Sequence, residues 1–127
     1  MIGYVTVGTN NIKAATDFYD TLFQITGGKK VYDFDRFVGW IVGESEQMFA
    51  VVIPFDKQVA TFGNGTMIAF KVANEAVVKD AHAKALALGG VCEGEPGIRQ
   101  GNYYCGYCRD LDGNKLNFYT VLDGESE

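Results

Sequence analysis

The sequence is poor in the residues that staple small domains or bind metals. Its 127 residues include 3 cysteines and 1 histidine. An odd, small cysteine count is a weak basis for a disulfide framework and is ordinary for reduced thiols. No apolar run approaches the roughly 20 residues of a membrane span, and no charged-then-apolar opening segment reads as a secretion signal. Basic residues are outnumbered, 11 Lys and Arg against 16 Asp and Glu, for a net charge of −5. That balance argues against general affinity for nucleic acid. A cytoplasmic chain with neither membrane nor nucleic-acid partners is expected. What is present is globular: 47% hydrophobic and 21% charged residues, in a chain long enough to bury roughly two thirds of its unfolded surface without a staple.

The chain repeats itself. Tyr4-Val-Thr-Val-Gly-Thr-Asn-Asn and Met67-Ile-Ala-Phe-Lys-Val-Ala-Asn are alternating runs ending in Asn, 63 positions apart. The same offset carries Gly27 onto Gly90, each within a Gly-Gly pair. Between these markers each half holds a helical pattern. Ile12, Ala15, Phe18, Leu22 and Phe23 recur at helical spacing behind Asn10 or Asn11; Val77, Val78, Ala81, Ala85 and Leu88 do so behind Asn74. Glycine pairs then supply left-handed caps.

Strands are expected at Lys30–Phe34, Arg36–Val42 and Gln47–Ile53, with breaks near Asp35 and at Gly43-Glu44-Ser45. In the second half Gly90–Glu93 is a weak strand, while Tyr103–Arg109 and Lys115–Val121 are strong ones joined by the turn Asp112-Gly113-Asn114. Each half thus reads strand–helix–strand–strand–strand. The fold class is α+β, one domain over 1–127, with module 1–54, connector 55–65 and module 66–127.

Strand parity assigns faces. Val5, Val7, Ile68, Phe70, Val72, Leu116 and Phe118 form apolar faces suited to packing under the helices. Tyr4, Thr6, Met67, Ala69, Lys71, Asn117 and Tyr119 form mixed faces, which read as the lining of a ligand cup.

These residues resemble the vicinal-oxygen-chelate superfamily, which includes glyoxalase I, bleomycin-resistance proteins, fosfomycin-resistance enzymes and extradiol dioxygenases. The opening Tyr4-Val-Thr-Val-Gly-Thr-Asn-Asn-Ile-Lys-Ala-Ala-Thr-Asp-Phe-Tyr19 is similar to its first strand and helix. Tyr107-Cys-Arg-Asp-Leu-Asp-Gly-Asn-Lys-Leu-Asn117 is similar to its closing Phe-Arg-Asp-Pro-Asp-Gly-Asn signature. The resemblance implies paired βαβββ modules curled as a mixed sheet around a central cavity, in a homodimer. It also implies a divalent metal held by His, Glu or Gln. Carried over by position, those ligands fall on Tyr4, Met67 and Asn117, with a fourth near Ala50 or Val52. Phenol, thioether and amide do not make a hard-cation site, so neither that metal nor any other cofactor is expected.

Other motifs do not replace it. Cys105-Gly-Tyr-Cys108 spaces its thiols three apart, on opposite faces of a strand. His82, inside the second helix, has no partner at ligand spacing and reads as a surface or boundary residue. Asp110-Leu-Asp-Gly-Asn114 opens like a calcium loop, but the twelfth position is Val121. Glu95–Gly101 has the composition of a flap or surface loop.

Phased on the family pattern, Tyr103, Cys105 and Tyr107 point inward, with Arg109 at the rim. Arg36, Val38 and Trp40 are taken as the inward set of their strand. The expected ligand-binding residues are therefore Tyr4, Thr6, Arg36, Trp40, Met67, Lys71, Cys105, Tyr107 and Asn117. This lining suits a planar or amphipathic small molecule. The first expectation is a small-molecule binding protein. The alternative is a lyase or isomerase on a carbonyl compound, either metal-free with Tyr107, Lys71 or Tyr4 as acid or base, or related to lactoylglutathione lyase.

Overall fold

The computed structural model describes residues 1–43 and 46–122. The first half runs β1 (Tyr4–Gly8), α1 (Ile12–Thr26), β2 (Lys29–Phe34), β3 (Phe37–Ile41) and β4 (Met48–Val52). The second runs β5 (Ile68–Lys71), α2 (Glu75–Ala87), β6 (Val91–Ile98), β7 (Tyr103–Arg109) and β8 (Lys115–Val121). Each is a βαβββ unit with its own four-stranded mixed sheet, ordered β1-β4-β3-β2 and β5-β8-β7-β6. In both, the first strand pairs parallel with the last: Thr6 opposite Ala50, Ala69 opposite Asn117. The described residues form no closed barrel.

The helices begin and end where local chemistry directs. Asn11 Oδ1 accepts from the Ala14 N–H at 3.0 Å and Asn74 Oδ1 from the Val77 N–H at 3.0 Å, satisfying otherwise orphaned donors. Gly27 takes φ +99° and returns its N–H to the Phe23 carbonyl at 2.8 Å. At Gly28 a Cβ would sit 2.7 Å from Phe23 Cβ, so the chain can turn under that ring only as glycine.

One core serves both halves. Val7, Val38, Trp40, Phe49 and Val51 from the first sheet meet Ala15, Phe18, Tyr19, Leu22 and Phe23 of α1. Phe70, Cys108, Leu116 and Phe118 from the second sheet meet Val78, Ala81 and Ala85 of α2. The two groups touch directly: the Phe70 ring lies 5.5 Å from Phe23 and 5.2 Å from Phe49.

The Asp110–Asn114 turn is a polar latch between the halves. Buried Asp110 accepts through Oδ1 from the N–H groups of Asp112 and Asn114, each at 2.9 Å, and through Oδ2 from the Tyr19 hydroxyl and Asn114 Nδ2. Asn114 Nδ2 also donates to the Gly8 carbonyl at 3.0 Å, and the Asn10 N–H donates to Asp112 Oδ1 at 2.9 Å. Gly113 has φ +89°, and a Cβ there would meet the Phe62 ring at 2.5 Å. The turn therefore grips β1, α1 and the connector at once.

Two buried acids near this latch make stability fall at alkaline pH. Burial, reinforced by the Asp110 charge, holds the Tyr19 phenol well above its ordinary value. Burial, then Asp110 and Cys92, pushes the Cys108 thiol up to about 12. The unfolded chain releases these protons near their ordinary values, whereas the folded chain retains them. Stability is thus intact below the unfolded pKa values and declines as pH rises toward the folded ones. At roughly 1.4 kcal/mol per pKa unit, Cys108 alone accounts for up to about 4 kcal/mol. Urea midpoints should drop steadily above about pH 9, less so in Cys108→Ala. A flat profile would contradict the burial argument.

Three expectations from sequence need correction. In β3, Val38 and Trp40 stand opposite Val51 and Phe49 on the helix-facing side, so Phe37, Gly39 and Ile41 take the open side. The segment beyond Glu93 is no flap as far as Ile98: β6 continues through it, with register shifts between Cys92 and Gly94 and between Gly94 and Gly97. Those irregularities let an edge strand absorb Pro96 and two glycines, which is why composition suggested a loop. Finally, His82 is only 3% exposed and packs beneath Gly106. Of the turn expected at Gly43-Glu44-Ser45, Glu44 and Ser45 lie outside the described residues.

Candidate functional site

Each sheet has an open face turned away from the shared core. On the second sheet it is organised in rows. Ala69, Asn117 and Tyr107 lie across β5, β8 and β7 in one row; Lys71, Tyr119 and Cys105 form the next. Met67 precedes β5 on the same side and is exposed. Cys105 is buried in this face while Cys108 is buried on the other, as three-residue spacing on a regular strand requires.

Asn117 is 6% exposed, and its Oδ1 is buried without a hydrogen-bond partner among the described residues. Opposite it, the Tyr107 ring has two cations near it, Arg99 Cζ and Lys115 Nζ, each 5.4 Å from its centroid. Burial first, then the hydrogen bond and charge of Cys105, raise the Tyr107 phenol above its ordinary value against an opposing pull from Arg99. Tyr107 is accordingly a protonated donor at neutral pH rather than a base. Tyr103 stacks on Tyr119 at 5.6 Å, extending the aromatic surface.

Tyr4 and Thr6 occupy the open face of the first sheet. Tyr4 is 54% exposed and approaches Phe37 at 6.1 Å, with Tyr32 next along at 6.4 Å from Phe37. The β1 backbone stays clear of the β5 and β8 backbones among the described residues. A single chain therefore gathers Met67, Lys71, Cys105, Tyr107 and Asn117 on one face and Tyr4 and Thr6 on another, without bringing the two together.

Two expected site residues lie elsewhere. Trp40 is 1% exposed in the core, its Nε1 donating to Asp20 Oδ1 of α1 at 2.9 Å. Arg36 sits in the β2–β3 turn and donates Nη2 to the carbonyls of Ile53 and Pro54 at 3.3 and 3.2 Å, with Phe55 beneath it. A groove of about 1200 Å³ between the halves is lined by Thr26, Lys29, Ile41, Lys71 and Thr120 among others; of the expected residues it takes only Lys71.

Sequence reasoning missed Arg99 and Lys115. Parity with Asn117 could have placed Lys115. Arg99 was hidden in the stretch taken for a flap. As a donor set for the superfamily's divalent ion, Tyr4, Met67 and Asn117 fit poorly: a phenol, a thioether and a neutral carboxamide, divided between two sheets in one chain.

Two βαβββ units with helices packed on one face of each sheet define the glyoxalase/bleomycin-resistance fold. No family model and no curated protein sequence matches the chain. Solved structures do. A glyoxalase/bleomycin resistance protein from Albidiferax ferrireducens T118 is 30% identical, with a TM-score of 0.88 over 96% of this chain and 99% of that one. A putative glyoxalase from Bacillus halodurans (19% identity, TM-score 0.77, covering 94% and 95%) shares the fold. So does a glyoxalase-related enzyme from Fulvimarina pelagi (20%, 0.75, covering 94% and 87%). The chain belongs to the glyoxalase/bleomycin resistance protein family, within the vicinal-oxygen-chelate superfamily. No helix among the described residues is long and apolar enough to cross a membrane.

Proposed function

We propose that the protein binds a small planar or amphipathic molecule on the open face of the second sheet, without the superfamily's divalent metal. The observation that carries this reading is the orphaned acceptor Asn117 Oδ1, buried in a row with Tyr107. A buried acceptor without a partner costs about 1–3 kcal/mol, which a ligand donor group recovers on binding. Tyr107 supplies a phenol donor and an aromatic face, Cys105 a small floor, and Lys71 a cation at the margin.

The cup is completed by a second copy of the chain, as a homodimer placing Tyr4 and Thr6 of one protomer over Met67 and Asn117 of its partner. Supporting this is the aromatic character of the first sheet's open surface, where Tyr4, Tyr32 and Phe34 are all about half exposed or more. A twofold axis would form two such cups at once.

A thermal-shift screen of planar aromatic and amphipathic compounds tests the proposal. A bound compound at 100 times its Kd should add about 2.7 kcal/mol of stability, unchanged by chelator. Asn117→Leu should weaken it by roughly 5–150-fold, the affinity equivalent of about 1–3 kcal/mol. Absence of any stabiliser at millimolar concentration would overturn the binding reading. Sedimentation as a monomer with ligand affinity intact would remove the second copy from it.

A further inference from the structure

Away from that face, on the helix-facing side of the second sheet's edge, three metal-ligating side chains converge. They are His82 of α2 and Cys92 and Glu95 of β6, and one potential ligand atom from each lies within 4.8 Å of the other two. We propose that these three residues form a zinc-type transition-metal site, distinct from the superfamily's central position.

The backbone explains a convergence that spacing alone forbids. On a regular strand, residues 92 and 95 would face opposite sides, just as Cys105 and Cys108 do. The two register shifts in β6 add unpaired residues on either side of Gly94. Such bulges re-aim side chains, and here the Cys92 thiol reaches Glu95 Oε2 at 3.6 Å. Cys92 stands opposite Cys108, whose side chain is in the core, so the pair faces α2. His82 comes from the helix above.

The imidazole has a backbone partner for one of its nitrogens. His82 Nε2 lies 3.2 Å from the Tyr107 carbonyl oxygen, which can only accept. The tautomer that donates from Nε2 makes this bond and leaves Nδ1 available to a metal ion. A ligating histidine whose other nitrogen donates to a backbone carbonyl is the usual outer-shell arrangement of zinc sites.

The donor set selects the ion. Thiolate, imidazole and carboxylate together suit zinc or cobalt(II) better than magnesium or calcium. Cys92 must lose its proton to solvent on binding; with the Glu95 carboxylate, two negative charges then neutralise a divalent ion. Arg99 is engaged with the Glu95 backbone carbonyl at 2.7 Å. Three protein ligands leave a fourth position for water. With metal–ligand bonds of about 2.0–2.3 Å, the 3.6 Å between Cys92 Sγ and Glu95 Oε2 suits two ligands of one ion.

The full chain, stripped with chelator and kept reduced, should be titrated with cobalt(II) and then zinc. One equivalent of cobalt should bind with a thiolate charge-transfer band in the near ultraviolet, and zinc should bleach it. Cys92→Ser should abolish the band. Glu95→Gln, an exposed change that spares the core, should weaken binding at least as much as the roughly 10–100-fold typical of outer-shell changes. Glu93→Gln, on the same strand but paired with Arg109, should leave both unchanged. His82→Gln is a poorer test, because a buried substitution can act through folding. No charge-transfer band in the wild-type chain, or one that survives Cys92→Ser, would overturn the site. Stoichiometric metal retained in Cys92→Ser with no such band would instead count against the metal-free cup.

Discussion

Asp110→Ala should cost about 3–5 kcal/mol of stability, read as a fall in urea midpoint with little change in slope. The carboxylate is 5% exposed and accepts four hydrogen bonds, from the Tyr19 hydroxyl, Asn114 Nδ2 and two backbone N–H groups. Hydrogen bonds to a charged group contribute about 1.5–3 kcal/mol each, and they are not additive. Truncation removes them and strands the buried Tyr19 hydroxyl without an acceptor. Tyr19→Phe, which removes one donor and keeps the ring, should cost less, about 1.5–3 kcal/mol. The double variant should lose less than the sum of the singles because the two share one bond. Strict additivity would show that the latch does not couple the halves. The most recognisable motif in the sequence would then lack the structural role assigned to it here.

Phe23→Ala should be comparably damaging, about 3–5 kcal/mol, as for other large aromatic deletions in cores. The ring is 1% exposed and contacts Tyr19, Trp40, Phe49 and Phe70, with centroids 5.4–5.8 Å away. Phe70 belongs to the second unit and the other three to the first, so the cavity opens where the two halves meet. Unfolding of the wild-type chain should consequently be a single transition by both tryptophan fluorescence and circular dichroism. The fluorescence arm reports on Trp40, which lies in the first unit. Fluorescence lost well before ellipticity would mean that the halves fold separately, and the shared-core account would fail.

Both predictions concern features whose parts were visible in the sequence but whose association was not. The Asn11 and Asn74 caps, the glycine stops, the βαβββ order and the apolar faces of β1, β5 and β8 follow from local rules of capping, turn chemistry and alternation. The closing motif was recognisable as a turn. That it reaches Tyr19 and Gly8 across the molecule was not, because a sequence does not say which distant backbone group an Asn or Asp will find.

The candidate site divides the same way. Alternation put Lys71 and Asn117 on mixed faces, and the family pattern was needed to phase Cys105 and Tyr107 to the same side. It failed for β3, where Phe37 and Ile41 are as apolar as Val38 and Trp40, so neither parity was distinguishable from composition. It failed again for β6, whose bulges break the period of two and carry Glu95 to the side of Cys92. Residue order alone determined the elements, their caps and their repetition, since those depend on neighbours a few positions apart. Strand phase on doubly apolar segments, burial of His82 and separation of Tyr4 from Asn117 were decided by tertiary packing. They depend on which surface each sheet presents to a core built jointly by both halves.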